Sequence, residues 1–440
     1  MTRIVCKFGG SSVADAHQFR KVRGIIEQNS QRSIVVVSAP GKRVKTEAKI
    51  TDLLYLCHDA AQVGANFDAT FARIRERFVE IAQELAVTTS IGTELDRFYQ
   101  ELKAGVTRDF VASRGEYFNG ILMAEYLAAE FVDPADFVGI TSAGLVASET
   151  YDRLGKRLAD VSKRYVMPGF YGRDQKGNIK TFSRGGSDIS GAIAARAASA
   201  ALYENWTDVS GLLMADPAIV ENPRPMAEVT YREIRELSYM GASVFHDEAI
   251  LPVREAKIPI CIKNTNDPKH PGTRIVPELD PTEFKMTEIA GIAGKKGFSM
   301  ICVEKSLMNK EVGFAYRLLG IMQAAKMNVE HCPSSIDGIN VIVDGKSLGD
   351  RANEIVEEIR RVLQPDSVTI EDELALIAVV GEGMAHSVGI AARVFTSLRD
   401  ANVNVGVINQ GASELNIIIG VAPADFERAV RALYDAFVPR

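Results

Sequence analysis

Short β-branched runs alternate with longer amphipathic stretches from Arg3 to about Ile275. RIVCK and SIVVVSAP read as strands, with helical spacing between them from Asp15 to Gln28. Alternation of this kind predicts an α/β region of parallel strands joined by crossover helices. Thr51 to Glu130 is polar and rich in alanine and leucine, with mostly helical spacing. Strand-like runs return at DFVGITSAG, NIKTFS and IPICIKN. NTNDPKHPGTRIVPELDP is dense in proline and reads as a linker, which places a domain boundary there.

Beyond the linker the chain repeats itself. VGFAYRLLGIMQAAKMNVE (Val312 to Glu330) aligns with VGIAARVFTSLRDANVNVG (Val388 to Gly406), and the same slide lays NVIV at Asn340 on NIII at Asn416 without a gap. Each copy reads strand, turn, amphipathic helix, strand, turn, strand. A unit this small does not bury its sheet alone, so two copies pack on each other or on a partner chain. Short βαββαβ units commonly build ligand-binding regulatory domains; a plain dimerisation platform is the alternative. Residues near Ile289 form the first strand of either the first or the second copy.

Composition narrows the field. At 440 residues, two or three domains are expected. A net charge of −6, with 25% charged and 46% hydrophobic residues, gives no reason to expect nucleic acid or an anionic membrane as partner. No apolar run reaches the roughly eighteen residues of a membrane span, and the N-terminus enters a strand with no signal-peptide pattern. The five cysteines are scattered and the six histidines form no ligand-spaced pair. A reducing cytoplasm is therefore expected, with no structural metal; any metal arrives with a substrate.

Two glycine turns carry the candidate chemistry. KFGGSSV runs from a strand through Gly9 and Gly10 towards a helix, with Lys7 at its lip. Unpaired amides at a helix start favour an anion. The turn has neither the Walker A spacing nor the dinucleotide fingerprint, and a ligand-free strand–helix turn gives the same pattern. FSRGGSDISGAIAARAA repeats the design, with Arg184 before Gly185 and Gly186, and Ser187 and Asp188 after them. Arg184 suits a bidentate grip on carboxylate or phosphate, whereas Asp188 also fits a helix-capping acid. Two such turns suggest two anionic ligands facing each other, as phosphoryl transfer requires. ENWTDVSGLLMADP puts Thr207 and Asp208 at a strand end, SRGEYFNG puts Glu116 at a helix start, and GFYG is a turn able to present backbone to a substrate.

In that order, KFGGSSV, VVSAP, RGE, FSRGGSD, WTDVSG and IKNTNDPKHPGT resemble the monofunctional aspartokinases, and the repeated tail is similar to their tandem ACT domains. The resemblance implies an amino-acid-kinase fold, a three-layer αβα sandwich on a mostly parallel sheet, followed by two ferredoxin-like ACT domains. Its implied boundaries are 1–280 for catalysis, 287–370 for the first ACT unit and 371–440 for the second. The implied reaction phosphorylates the side-chain carboxylate of L-aspartate with ATP, Mg2+ being carried with the nucleotide. It is the first step towards lysine, threonine, methionine and diaminopimelate.

On this resemblance, Lys7 neutralises charge during transfer, and Gly9, Gly10 and Ser11 meet the phosphates. Gly185, Gly186, Ser187, Thr207 and Asp208 also serve the nucleotide, and Asp188 organises the transferring group. Arg184 pairs with the α-carboxylate of aspartate, Glu116 with its ammonium, and Ser38, Thr51 and Phe170 complete the seat. Leu213, Ala218 and Ser243 depart from the family pattern on the nucleotide side, with Arg224 or Lys263 as the replacement, and the basic VSAPGKRVKTEAKITDLL connection suits a lid. A tail of this kind implies self-association, as dimer or tetramer, and feedback by lysine or threonine. Met308, Glu311, Gly313, Phe314, Ser334, Ser335 and Asp337 are the effector candidates, and the acidic Glu311 favours a cationic effector. Another amino-acid or carbamate kinase, or a non-catalytic amino-acid sensor, are the competing readings.

Overall fold

Every residue of β1 (Ile4–Phe8) is buried, as expected for a strand covered on both faces. The computed structural model describes residues 2–88, 90–182, 185–242, 247–279 and 288–438. It divides into two compact units. The first comprises Met1–Leu212, Ala227–Tyr231 and Val244–Glu278; the second comprises Leu213–Met226, Arg232–Ser243 and Leu279–Arg440.

In the first unit β1 leads through α1 (Ala16–Glu27) to β2 (Arg32–Val37). Four helices follow: α2 (Ile50–Gln62), α3 (Asp68–Leu85), α4 (Ile91–Ala104) and α5 (Arg108–Tyr126). Next come β3 (Glu130–Phe131), α6 (Glu149–Arg157), β4 (Tyr165–Pro168) and a hairpin of β5 (Tyr171–Arg173) and β6 (Ile179–Thr181). The chain continues with α7 (Gly186–Ala197), β7 (Leu202–Thr207) and β8 (Glu228–Thr230); α8 (Tyr231–Tyr239) belongs to the second unit from Arg232 on, and α9 (Asp247–Glu255), β9 (Ile260–Asn264) and β10 (Thr273–Val276) complete the first. The main sheet runs β3-β4-β2-β1-β7-β9-β10-β8, and its pairs are parallel except β9 with β10. Alternation along β1 sorts the layers. Ile4, Cys6 and Phe8 join Val35 and Val37 in one core with α1 to α5, while α7 covers the opposite face, flanked by α6 and α9.

Three sequence expectations need correction. DFVGITSAG forms only the isolated bridges Gly139–Arg173 and Ile140–Val146, and its first residue, Asp136, closes the 3-10 turn Pro134–Asp136. NIKTFS supplies β6, which pairs with β5 alone and stays out of the main sheet. The proline-rich linker contains β10, whose Thr273, Ile275 and Val276 are buried among sheet neighbours.

The second unit carries the tail. Its elements are β11 (Gly291–Glu304), α10 (Phe314–Ala324), β12 (Gly338–Asp344), α11 (Gly345–Leu348), α12 (Ala352–Leu363), β13 (Ser367–Val380), α13 (Ile390–Asp400), β14 (Val407–Asn409), β15 (Asn416–Val421) and α14 (Phe426–Phe437). They form an antiparallel sheet in the order β12-β11-β13-β15-β14. β11 and β13, the matching strands of the two copies, pair from Gly291↔Val380 to Glu304↔Ser367. The second half of β11 borders β12, whereas its first half lies against Ala375–Val380, next to β15. The strand starting near Ile289 therefore crosses into the second copy's half of the sheet. The first copy keeps only single bridges, His331–Ile342 and Ser334–Ile339, where the second has β14. Among the described residues no helix is long and apolar enough to cross a membrane.

Candidate active site

In the first unit, β1, β2, β4 and β7 are adjacent and parallel, and ligands of such sheets bind outside the carboxyl ends of the strands. Lys7 lies at that end of β1, on the face covered by α7. Its Nζ is 2.6 Å from Asp188 Oδ1, in the first turn of α7, and donates to Asn205 Oδ1 at 3.3 Å. Asn205 Nδ2 donates to the same Asp188 oxygen at 2.9 Å. Lys7 and Asn205 are each at most 7% exposed, so this triad is stiff and poorly screened. Asp188 is no mere cap. Asn205 is not singled out by motif, although it stands inside ENWTDVSG; its signal is register, because β1 and β7 pair Lys7 with Asn205 directly.

Both glycine turns need glycine for close backbone approach. The Gly10–Val13 segment is a 3-10 turn touching the loop after β2, where Gly41 N–H donates to the Gly10 carbonyl at 2.8 Å. A Cβ on Gly41 would sit 2.6 Å from the Gly10 carbonyl carbon. Gly9 N–H is already spent on the Trp206 carbonyl at 2.9 Å, so the amides that open the turn are those of Gly10 and Ser11. In the second turn Gly185 has φ 77°, and a Cβ on Gly186 would meet the Phe170 ring at 2.5 Å. Gly169 is equally tight, 2.8 Å from Ser187 Cβ. Phe170 takes a strained φ of 80°; its N–H donates to Ser190 Oγ and its carbonyl accepts from Phe182 N–H, both at 2.9 Å. Arg184 lies outside the described residues. The Lys7–Asp188 pair joins the two turns on one side of the sheet.

A third group of side chains comes from α5. Glu116 stands mid-helix, not at a helix start: Thr107 caps α5 by accepting from Phe110 N–H, and Gly115 lets the helix close on Ala39, with an added Cβ only 2.8 Å from the Ala39 Cβ. Glu116 and Asn119, one turn apart, are both buried. Asn119 Nδ2 donates to the Ser38 carbonyl at 2.7 Å, while Asn119 Oδ1 and Glu116 Oε2 are buried without a partner. Burial pushes the Glu116 carboxyl up to about 8, opposed by a backbone hydrogen bond from Ala39. Two buried oxygens without partners are costly unless a donor or a cation meets them. Thr51 is half-buried at the start of α2, whose Ile50 abuts Gly115. Asn119 stands inside SRGEYFNG but is not singled out by it; it shares a helix face with Glu116 at i+3.

At the end of β7 Thr207 is half-buried and its Oγ1 donates to the exposed Asp208 Oδ1 at 3.2 Å. Lys263 is committed within the fold, donating to the carbonyls of His270 and Pro271 at 3.1 and 3.3 Å. Ser243 lies outside the described residues. Leu213, Ala218 and Arg224 belong to the second unit, where Met214 N–H donates to the Arg224 carbonyl and Arg224 N–H to Tyr434 Oη. Among the described residues no group of three or more His, Cys, Asp or Glu could hold a metal ion.

The effector candidates gather at one corner of the second unit. Met308 lies in a 3-10 turn, Gly313 (φ 79°) precedes α10, and Phe314 is buried in the core beneath. Asp337 Oδ1 accepts from Leu307 N–H at 2.8 Å, and Ser335 N–H donates to the Gly338 carbonyl at 2.7 Å; Ser334 sits on the bridge to Ile339. Glu311 pairs with Lys305 at 2.7 Å and with Arg317; the Lys305 hydrogen bond first, and Arg317 after it, hold its carboxyl below the ordinary range. Its charge is thus answered inside the unit.

Residues 2–264 match the amino acid kinase family, and 377–437 an ACT domain. The chain is 41% identical to aspartokinase 3 of Bacillus subtilis, with 98% of each chain covered. The chain belongs to the aspartokinase family. Aspartate kinase of Clostridium acetobutylicum has the same architecture as this aspartokinase, with TM-score 0.90, 44% identity and coverage of 99% and 100%. E. coli aspartokinase III, solved with aspartate and ADP, shares the fold at 24% identity and TM-score 0.75, with 99% of each chain covered. The enzyme is an aspartate kinase with an amino-acid-kinase region and a C-terminal ACT region.

Proposed function

We propose that the site transfers the γ-phosphoryl group of ATP to the side-chain carboxylate of L-aspartate. The bond from γ-phosphorus to the bridging oxygen breaks, a bond to the aspartate oxygen forms, and 4-phospho-L-aspartate and ADP result. No general base is required, since a carboxyl with a pKa of about 4 is ionised at neutral pH. Positioning and charge do the work. Lys7 follows the migrating charge, kept in place by Asp188 and Asn205. The amides of Gly10 and Ser11 meet the phosphates, with Gly9 shaping their turn; Gly185, Gly186 and Ser187 form the facing corner. Glu116 takes the ammonium of aspartate and Arg184 its α-carboxylate, with Ser38 and Thr51 beside them. Phe170 acts through the shape of its strained turn, and Thr207 and Asp208 contact the nucleoside. Mg2+ enters as part of the nucleotide substrate.

In this reading residues 1–280 carry catalysis, and 287–370 and 371–440 carry control by lysine, threonine or both. The enzyme self-associates through the tail and works in the cytoplasm at the head of a route to several amino acids. The observation that supports the chemistry is the 2.6 Å Lys7–Asp188 contact, which links the strand end before one glycine turn to the helix start after the other. Hydroxylamine trapping tests it. Acyl hydroxamate should form with ATP and aspartate, and not with glutamate or without an amino acid; equal yield from glutamate, or none from aspartate, would refute the reading.

A further inference from the structure

The phosphate-facing turn has a support that neither glycine turn supplies. Arg77 occupies a position in the apolar stripe of α3, between Ile74 and Phe78, and is only 4% exposed. Its Nη1 donates to two backbone carbonyls, Ala14 and Gly41, each at 3.1 Å. Ala14 follows the Gly10–Val13 turn; Gly41 is the residue whose N–H bonds Gly10. The same guanidinium pairs through Nη2 with Glu47, on the basic connection between β2 and α2. Glu47 in turn holds Arg43 at 2.8 Å, and Arg43 reaches Glu80 of α3 at 2.8 Å. The most basic stretch of that connection is thereby pinned to α3 through a carboxylate.

We propose that Arg77 is a positioning residue for the nucleotide half of the site. One planar fork fixes the turn after β1, the loop after β2 and the connection beyond it as a single body. Drawing the Ala14 and Gly41 carbonyls towards α3 also turns the trans peptide N–H groups of Asp15 and Lys42 the opposite way. Carbonyl oxygens are thus kept off one side of the turn, where an anion would be repelled by them. Only arginine can hold all three acceptors, because lysine keeps the charge but cannot serve two carbonyls and a carboxylate in one plane. Burying a guanidinium whose Nε has no partner costs stability, so packing alone would favour an aliphatic side chain at this place in the stripe.

The inference rests on the reading that ATP is bound here, and steady-state kinetics of the full-length enzyme test the two separately. Arg77→Lys should raise the KM for ATP about tenfold, through loss of part of the fork, and leave the KM for aspartate within about twofold. Glu47→Gln, which spares both carbonyl contacts, should raise the KM for ATP less. A merely structural arginine would lower the unfolding temperature and the yield of active enzyme without separating the two constants. Equal movement of both KM values, or no change in that for ATP, overturns the role of Arg77. Wild-type enzyme that makes no acyl phosphate from ATP overturns the underlying reading instead.

Discussion

Glu116 is the residue whose chemistry the fold alters most. A carboxyl that titrates near 8 binds a proton in the folded protein that it lacks when unfolded, where its pKa is near 4.5. Its contribution to stability is complete below the unfolded value and disappears as pH rises through about 8. Thermal unfolding without substrate should therefore show Glu116→Gln gaining on the wild type between pH 5 and pH 8.5; a constant gap would contradict the burial argument. An incoming ammonium reverses the balance, because the ionised carboxylate becomes the favoured partner. Aspartate binding near pH 7 should release a proton, measurable by calorimetry in two buffers of different ionisation enthalpy. Glu116→Gln should abolish that dependence on buffer. Asn205 makes a milder case. Asn205→Leu removes one of two partners of Asp188 and should lower kcat about tenfold with little effect on either KM, an effect of roughly one charge-assisted hydrogen bond.

Among the elements, those with a clear period are legible in the sequence and those held by tertiary contact are not. β1, β2, α1 and the helical region before Glu130 follow from spacing alone. β4 escapes because YVMP is short and ends in proline, and β10 because prolines surround it. Glu116 is misplaced by its motif because the serine and glycine of SRGE look like a helix start. Gly115 instead marks the place where α5 touches the Ala39 loop. Of the candidate site, the glycine turns, Lys7, Asp188 and Glu116 can be read from motifs; Asn205 and Asn119 need strand register and a helix face. Glycines report the same distinction. Gly186→Ala forces a methyl to 2.5 Å from the Phe170 ring and should destabilise by about 1–3 kcal/mol with loss of activity. Gly24→Ala, on α1 with open space around it, should instead stabilise by about 0.5–1 kcal/mol. Chemical denaturation of the two variants checks both signs.

For the whole molecule, the repeat in the tail is legible at residue resolution, but its strand exchange is not. Identical slides of sequence cannot say which half of the sheet a strand joins, and the pairing of Gly291–Lys296 with Ala375–Val380 answers that. The effector corner differs from expectation in one respect: Glu311 reads as free negative charge and is closed by Lys305 and Arg317. Glu311→Gln should therefore lower the unfolding midpoint while changing lysine inhibition no more than about threefold, the scale of a screened exposed pair. Strong loss of inhibition at unchanged stability would put the carboxylate in contact with the effector. In catalysis, Lys7 between the two glycine corners is expected to stabilise transfer and not binding. Lys7→Met, followed by single-turnover phosphoryl transfer alongside equilibrium binding of ATP and aspartate, tests it most directly. Transfer should fall by about a thousandfold while both substrates bind within about tenfold of wild type; a rate that falls only as far as binding does would contradict it.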